Sequence, residues 1–260
     1  MRKKMFSYLE PIYKQNMILS AQILQDNAMY VHNSIKNIYL DYSDGIISGV
    51  EIEITDAYIM VHPGLIKYNH MLYSLNEVIQ IPYENSGETT FLRIRFKDPV
   101  EVNGGISYGG ELILTHEETE FFYDMELGRF TASKGARLYY NTESFSKLAL
   151  MYDNFDIRFV KYAGVGEPTI SPLVTSLFAK EMMKKKLSDM WDVSFTMKCL
   201  EKTPVSREVI KAYIRQKTNK EVTDITNLQI YKELEQILTK PTSTEPFQRR
   251  ESQMRRIIVD

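Results

Sequence analysis

The stretch "IMVHPGLIKYNHMLY", Ile59 to Tyr73, decides how the chain is read. Three short runs with apolar and polar residues in alternation are separated by Pro63-Gly64 and by Asn69-His70, two dipeptides that favour turns. A period of two belongs to strands, because successive side chains of a strand point to opposite faces. Either the turn residues bend a small β-meander, or His62 and His70 form a site beside a glycine and a run of tyrosines. The neighbouring sequence favours the meander. Val50, Ile52 and Ile54 alternate with Glu51, Glu53 and Thr55, and Leu92, Ile94 and Phe96 with Arg93, Arg95 and Lys97. Phe155, Ile157 and Phe159 against Asp156, Arg158 and Lys161 predict a later strand. Asp56-Ala57, Asn85-Ser86-Gly87, Asn103-Gly104-Gly105 and Gly109-Gly110 supply further turns. Short strands at such intervals from Gly45 to about Tyr162 predict an antiparallel sandwich or partly open barrel.

Helical spacing flanks this region. Ile23, Leu24, Val31, Ile35 and Ile38 predict a helix between Asn16 and Tyr39. Ser171-Pro172 pairs an N-cap residue with a proline suited to the first turn, and Leu173, Leu177, Phe178, Met182, Leu187, Met190 and Trp191 follow at three-to-four spacing. Thr203-Pro204 repeats the start signal ahead of Val205, Val209, Ile210, Tyr213 and Ile214. A last helix holds Leu228, Ile230, Tyr231, Leu234, Ile237 and Leu238 and stops before Pro241. The fold class is therefore α+β: an N-terminal segment with a helix (1–44), a β-rich domain (45–170), a helical part (171–240) and an extended tail (241–260). The apolar stripes of the later helices, with Leu177, Met182, Met190 and Trp191 among their members, are expected to pack on one another and on another subunit.

With 260 residues and 43% hydrophobic residues, the chain is long enough for a sizeable core. A formal net charge of -2 gives no footprint for nucleic acid. The single Cys199 excludes a disulfide framework within the chain and an all-cysteine metal site. No run approaches the roughly 18 apolar residues of a membrane span, and the basic start MRKKMFSYLEPIYKQ lacks the apolar core of a signal peptide. A soluble protein without membrane insertion is expected. Seventeen tyrosines, twelve phenylalanines and thirteen methionines suit strands and protein contacts.

The search for chemistry returns little. His62 and His70 are placed to meet across a hairpin, but no third ligand accompanies them. His116 heads HEETE, whose charges read as a solvated edge. GGISYGGE, Gly104 to Glu111, lacks the Gly-Lys-Ser/Thr ending of a phosphate loop and reads as bends in a sheet. Cys199 has no nearby histidine in the sequence and is no candidate nucleophile. Lys184-Lys185-Lys186 reads as a solvated helix face. No cofactor, metal site or catalytic residue is expected, although the carboxylate pairs of glycosidases leave no local signature. The tail from Pro241 to Asp260 carries Arg249-Arg250 and Arg255-Arg256 ahead of Ile257-Ile258-Val259, a pattern that suits a segment ordering on a neighbour.

The segment Gly45 to Phe96 resembles the N-terminal β-domain of phage tail appendage and baseplate proteins: Val50 to Ile54, Tyr58 to Val61, Pro63-Gly64 and Met71 to Leu75 follow that order of strands and turns. Upstream, NMILSAQILQ from Asn16 to Gln25 is similar to the "GMFLxPQHFQ" stretch of the TssK family, baseplate subunits of type VI secretion systems. Met17, Leu19, Gln22 and Gln25 match it; its glycine, proline, histidine and phenylalanine have no counterpart here. The resemblance covers about a third of the chain. It implies a structural component of a phage or phage-like contractile particle, bound to other baseplate or tail subunits and to tail fibres, and assembled as a homo- or hetero-oligomer. It also implies that Met17, Leu19, Gln22 and Gln25 contact a partner. A receptor-binding fibre tip and a tail-associated carbohydrate hydrolase are the rival expectations.

Overall fold

The computed structural model describes residues 20–119 and 121–239. The meander predicted from the opening stretch begins as a single antiparallel ribbon. Strands β1 (Gly45–Gly49) and β2 (Ile52–Ile54) form one side, and β3 (Tyr58–Val61) and β4 (Gly64–Tyr68) form the other. Gly49 pairs with Gly64 and Ile52 with Val61, so the register continues through the point where the ribbon folds over. Gly49 and Val50 turn there with φ of 65° and 56°, and the Val50 amide donates to the Pro63 carbonyl at 3.1 Å. A Cβ on Gly49 would stand 2.2 Å from the Pro63 carbonyl oxygen, so only glycine fits the inside of the corner. Val50, β-branched, left-handed and buried, carries about 1–3 kcal/mol of backbone strain that the corner must offset.

Past the corner the two halves join different sheets. β1 and β4 continue into β5 (Met71–Leu75), giving the order β1-β4-β5, whereas β2 and β3 add β6 (Ile79–Pro82), giving β2-β3-β6. Strands that switch sheets at a bend are how packed sheets turn their corners. Asn69 and His70, at φ of 46° and 63°, form the two-residue β4–β5 turn, in which both central residues are left-handed. A third sheet, in the order β10-β7-β11, combines β7 (Thr89–Phe96), β10 (Gly110–Thr115) and β11 (Asp124–Thr131). The hairpin of β8 (Val100–Val102) and β9 (Gly105–Ser107) contains the first glycines of GGISYGGE, which bend strands as expected. Tyr68 stacks flat on Phe96 with ring centroids 3.9 Å apart and donates its hydroxyl to the Phe122 carbonyl, joining the first sheet to the third. The sheets are antiparallel and sandwich-like, without closing into a barrel.

Three local expectations need correction. The strand predicted from Phe155 to Lys161 is reduced to one isolated bridge, Arg129 to Asp156, with a second, Tyr139 to Asn154, just before it. Asp156 accepts the Arg158 amide at 2.9 Å and holds its guanidinium through both oxygens, and that local contact turns the chain. The apolar series from Leu173 to Trp191 spans two helices, α2 (Pro172–Met183) and α3 (Met190–Leu200). Between them Asp189 accepts the Trp191 amide at 3.0 Å and restarts the helix as its N-cap. The next helix, α4 (Arg207–Thr218), starts behind Ser206 rather than at Thr203. The last, α5 (Asn227–Thr239), falls where the periodicity placed it.

One hydrophobic core runs through both parts, from Ile59, Leu92 and Phe155 to Val174, Phe178, Ile214 and Leu234. Polar side chains close the seam. Asn227 Nδ2 donates to the Val160 carbonyl at 2.7 Å, Thr169 Oγ1 to that of Val205 at 2.6 Å, and the Tyr231 hydroxyl to that of Phe145 at 2.9 Å. The Phe145 and Tyr231 rings stack at 4.5 Å, and those of Phe195 and Tyr213 at 4.0 Å.

Candidate interaction surfaces

The N-terminal helix α1 (Ala21–Ile38) is built from local rules. Ser20 caps it by accepting the Ile23 amide at 3.3 Å. None of its eighteen residues is buried, and Leu24, Val31, Ile35 and Ile38 stand exposed on one side, Ile38 at 65%. An apolar stripe of this kind ordinarily faces a core. Its C-terminal end is fixed, however. Lys67 on β4, only 5% exposed, aims its ammonium at the chain leaving the helix, with Nζ 2.6 Å from the Tyr39 carbonyl oxygen, 3.1 Å from that of Leu40 and bonded to that of Tyr42. A cation at a helix C-terminus satisfies carbonyls without helical partners and suits the helix dipole. The isolated bridge from Tyr42 to Val165 and the bond from the Ser43 amide to the Gly164 carbonyl tie the following turn to the body.

Of the residues singled out by the family resemblance, Gln22 and Gln25 lie on α1 and are exposed. Gln22 donates to Asp26 Oδ1 at 2.8 Å, one turn on, and helical geometry puts it opposite the apolar stripe, with Gln25 at the stripe's edge. Met17, Leu19, Arg249, Arg250, Arg255, Arg256, Ile257, Ile258 and Val259 lie outside the described residues. Lys67 was not identified from the sequence: it occurs in an ordinary alternating strand, and only the return of the chain after α1 supplies its acceptors.

A second apolar surface lies on α3. Asp192, Phe195, Thr196 and Cys199 face inward, while Met190, Val193, Met197 and Leu200 form an exposed row and Trp191 remains 45% exposed. Leu177 and Met182 on α2 are in the core, so the stripe expected to serve both roles is divided between two helices. Burial pushes the Cys199 thiol up to about 12, which leaves it without nucleophilic character at neutral pH. Lys184 pairs with Glu181, and Lys185 reaches the Leu238 carbonyl, so the three-lysine run is only partly a solvated face.

The titratable clusters form ion pairs. Asp124 holds Arg95 through both oxygens, Glu126 holds Arg129, and Asp156 holds Arg158, at 2.7–3.0 Å. Asp192 accepts from the Tyr213 hydroxyl and from Lys217, both at 2.8 Å. Each buried carboxylate among the described residues thus meets a guanidinium or an ammonium. Arg93, placed by alternation on the solvent side of β7, is fully buried: its guanidinium donates to the Glu118 and Thr119 carbonyls at 3.0 Å and lies over the Phe91 ring. The segment led by His116 folds across that face. The ring of Arg129 contacts is aromatic too, Phe91 at 4.7 Å and Phe159 at 3.6 Å, beside a cleft of about 390 Å³ that also includes Arg158 and His116. His62 Nε2 lies 3.0 Å from Glu53, while His70 sits in its exposed turn. Among the described residues no group of three or more histidine, cysteine or acidic side chains is placed to hold a metal ion. A larger cleft, about 540 Å³, opens between the Gly49–Val50 corner and the start of α2. Tyr140 and Tyr162 are among its lining residues, their hydroxyl pKa values raised by burial. Among the described residues no helix is long and apolar enough to cross a membrane.

No family model matches the sequence, and no curated protein matches it. Among solved structures, the chain is similar to a crystal structure of TssK, with a TM-score of 0.41 and 10% identity over 90% of this chain and 73% of that one. It is also similar to the baseplate complex from the type VI secretion system, with a TM-score of 0.40 and 10% identity over 90% of this chain and 70% of that one.

Proposed function

We propose that this chain is a structural component of the baseplate or tail of a phage or phage-like contractile particle, bridging the tail hub to fibres or to neighbouring baseplate subunits. The observation that carries the reading is α1, a helix without a buried residue whose apolar side faces outward while Lys67 holds its base to the sheet. A helix displayed in this way suits contact with another chain, and the sequence resemblance from Asn16 to Phe96 names the kind of assembly. The ion-paired carboxylates favour this role over a hydrolytic one. A glycoside hydrolase needs one carboxylic acid that keeps its proton, whereas Asp124, Glu126 and Asp156 are each engaged by an arginine. The test of this reading is purification of the tagged chain from its native host. Recovery with tube and sheath proteins in a fixed ratio is expected, and recovery free of any particle protein overturns it.

A further inference from the structure

The cleft of about 540 Å³ beside the Gly49–Val50 corner falls within the range of ligand pockets, roughly 300–1,000 Å³. Three parts of the chain wall it: the corner, the segments that hold Tyr140 and Tyr162, and α2 with the loop from Lys202 to Pro204. The lining is largely aliphatic. Ile47, Ile52, Leu173 and Pro204 are half-buried there, around the buried Leu127 and Ile157. Left-handed Val50 is buried at the corner, which leaves Glu51, the next residue, exposed at the rim. On α2, Leu173, Ser176 and Lys180 recur at helical spacing and all line the cleft. The Ser176 hydroxyl donates to the Leu173 carbonyl at 3.0 Å, so Lys180 is the polar group that this face of the helix leaves open.

The polar groups of this cleft differ from the ion pairs elsewhere. The side chains of Glu51, Lys180 and Lys202 and the Tyr140 hydroxyl have no hydrogen bond or ion pair to any of the described residues. Burial raises the pKa of both phenols, and Glu51 lies close enough to raise it further; a hydrogen bond with Ser171 opposes the shift at Tyr162. Both hydroxyls therefore stay protonated at neutral pH, with oxygens that accept as well as donate. A carboxylate with phenol oxygens beside it is a receptor for an ammonium group, and two lysines on another wall are a receptor for a carboxylate. A fatty acid would leave Glu51 facing its hydrocarbon chain. A sugar would set hydroxyls against the aliphatic lining, at a cost in desolvation. A molecule that joins both charges through a branched hydrocarbon body matches all three walls. We propose that this cleft binds a short aliphatic peptide as a zwitterion, its ammonium at Glu51 and Tyr140, its carboxylate at Lys180 and Lys202, and its side chains on the aliphatic lining. This goes beyond the baseplate reading and does not rest on it, since the site belongs to the isolated chain.

The test uses the full chain and the dipeptide leucyl-leucine as probe, titrated by calorimetry. One-site binding is expected, with a dissociation constant of about 1 mM or tighter. N-acetyl-leucyl-leucine, which lacks the ammonium, and leucyl-leucinamide, which lacks the carboxylate, are each expected to bind about tenfold more weakly. Glu51→Gln is expected to weaken leucyl-leucine by a similar factor and to leave the acetylated form unaffected. The double variant Lys180→Met with Lys202→Met is expected to do the same for the free dipeptide and the amide. All three side chains are exposed, so unchanged melting temperatures are expected and separate lost binding from lost folding. Absence of binding by the wild type at about 10 mM dipeptide overturns the proposal. So does equal binding of the free and blocked dipeptides, or leucyl-leucine binding that both variants leave intact. Octanoate or methyl glucoside binding more tightly than the dipeptide would give the cleft to another class of ligand and overturn it as well.

Discussion

The ammonium of Lys67 lies 2.6 Å from the carbonyl oxygen of Tyr39, the residue that ends α1. Twenty-eight residues separate the two in sequence, so the contact exists only because β4 passes beneath the end of the helix. It also holds the chain at Leu40 and Tyr42. Replacing Lys67 with Met keeps the length of the side chain and removes the donor from three carbonyls. A loss of about 2–3 kcal/mol in urea unfolding is expected, together with faster amide exchange at the end of α1. Unchanged stability and unchanged exchange would show that the contact does not hold the helix.

The corner of the ribbon makes a sharper prediction. A Cβ at Gly64 would stand 2.4 Å from the Val50 nitrogen and 2.6 Å from the Ser48 carbonyl oxygen, with backbone on both sides. Gly64→Ala is expected to cost about 3 kcal/mol or more, or to prevent folding, because packed backbone does not yield. Gly104→Ala is the control. It has a positive φ, 81°, which Gly64 does not, but meets nothing within 4 Å, so only the left-handed penalty of about 1–2 kcal/mol applies. Thermal melts of the two variants compare them directly.

Asp189 gives the pH dependence. The hydrogen bond from Lys217 holds its carboxyl below the usual carboxylate range, against the opposing effect of burial, and the Trp191 amide helps. A depressed folded-state pKa contributes stability that is present above the unfolded value of about 3.9 and is lost as pH falls through the folded value. The side chain is 41% exposed, so screening limits the effect to about 0.5–1 kcal/mol. Asp189→Asn keeps an N-cap and removes the titration. Its deficit against the wild type is expected at pH 6 and should vanish as pH falls below 4. A deficit that persists at pH 2.5 would assign the loss to capping geometry instead.

Cys199 is expected to resist thiol reagents in the native protein and to react on unfolding, since it is fully buried and burial raises its pKa to about 12. The rate of modification then reports opening of α3, and a fast native reaction would contradict the packing of that helix.

Much of the architecture was legible in local chemistry. Pro63-Gly64 and Asn69-His70 bend the chain for steric reasons internal to each dipeptide, so the meander could be read directly. The helix starts at Ser171-Pro172 and the apolar spacing of α5 are equally local. Alternation predicted β2 and β7 as strands, but not what covers them. Arg93 shares the pattern of any solvent-facing residue until the segment from His116 to Thr119 crosses over it. Phe155 to Lys161 alternates as a strand does, yet the pairing of Asp156 with Arg158 ends it, and nothing in the alternation separates an aspartate that faces water from one that binds the residue two ahead. The apolar stripe of α1 was likewise visible, because it follows from spacing alone. Whether that stripe would be buried in its own domain or left exposed depended on where β4 brought Lys67, a contact between distant segments that no local pattern encodes.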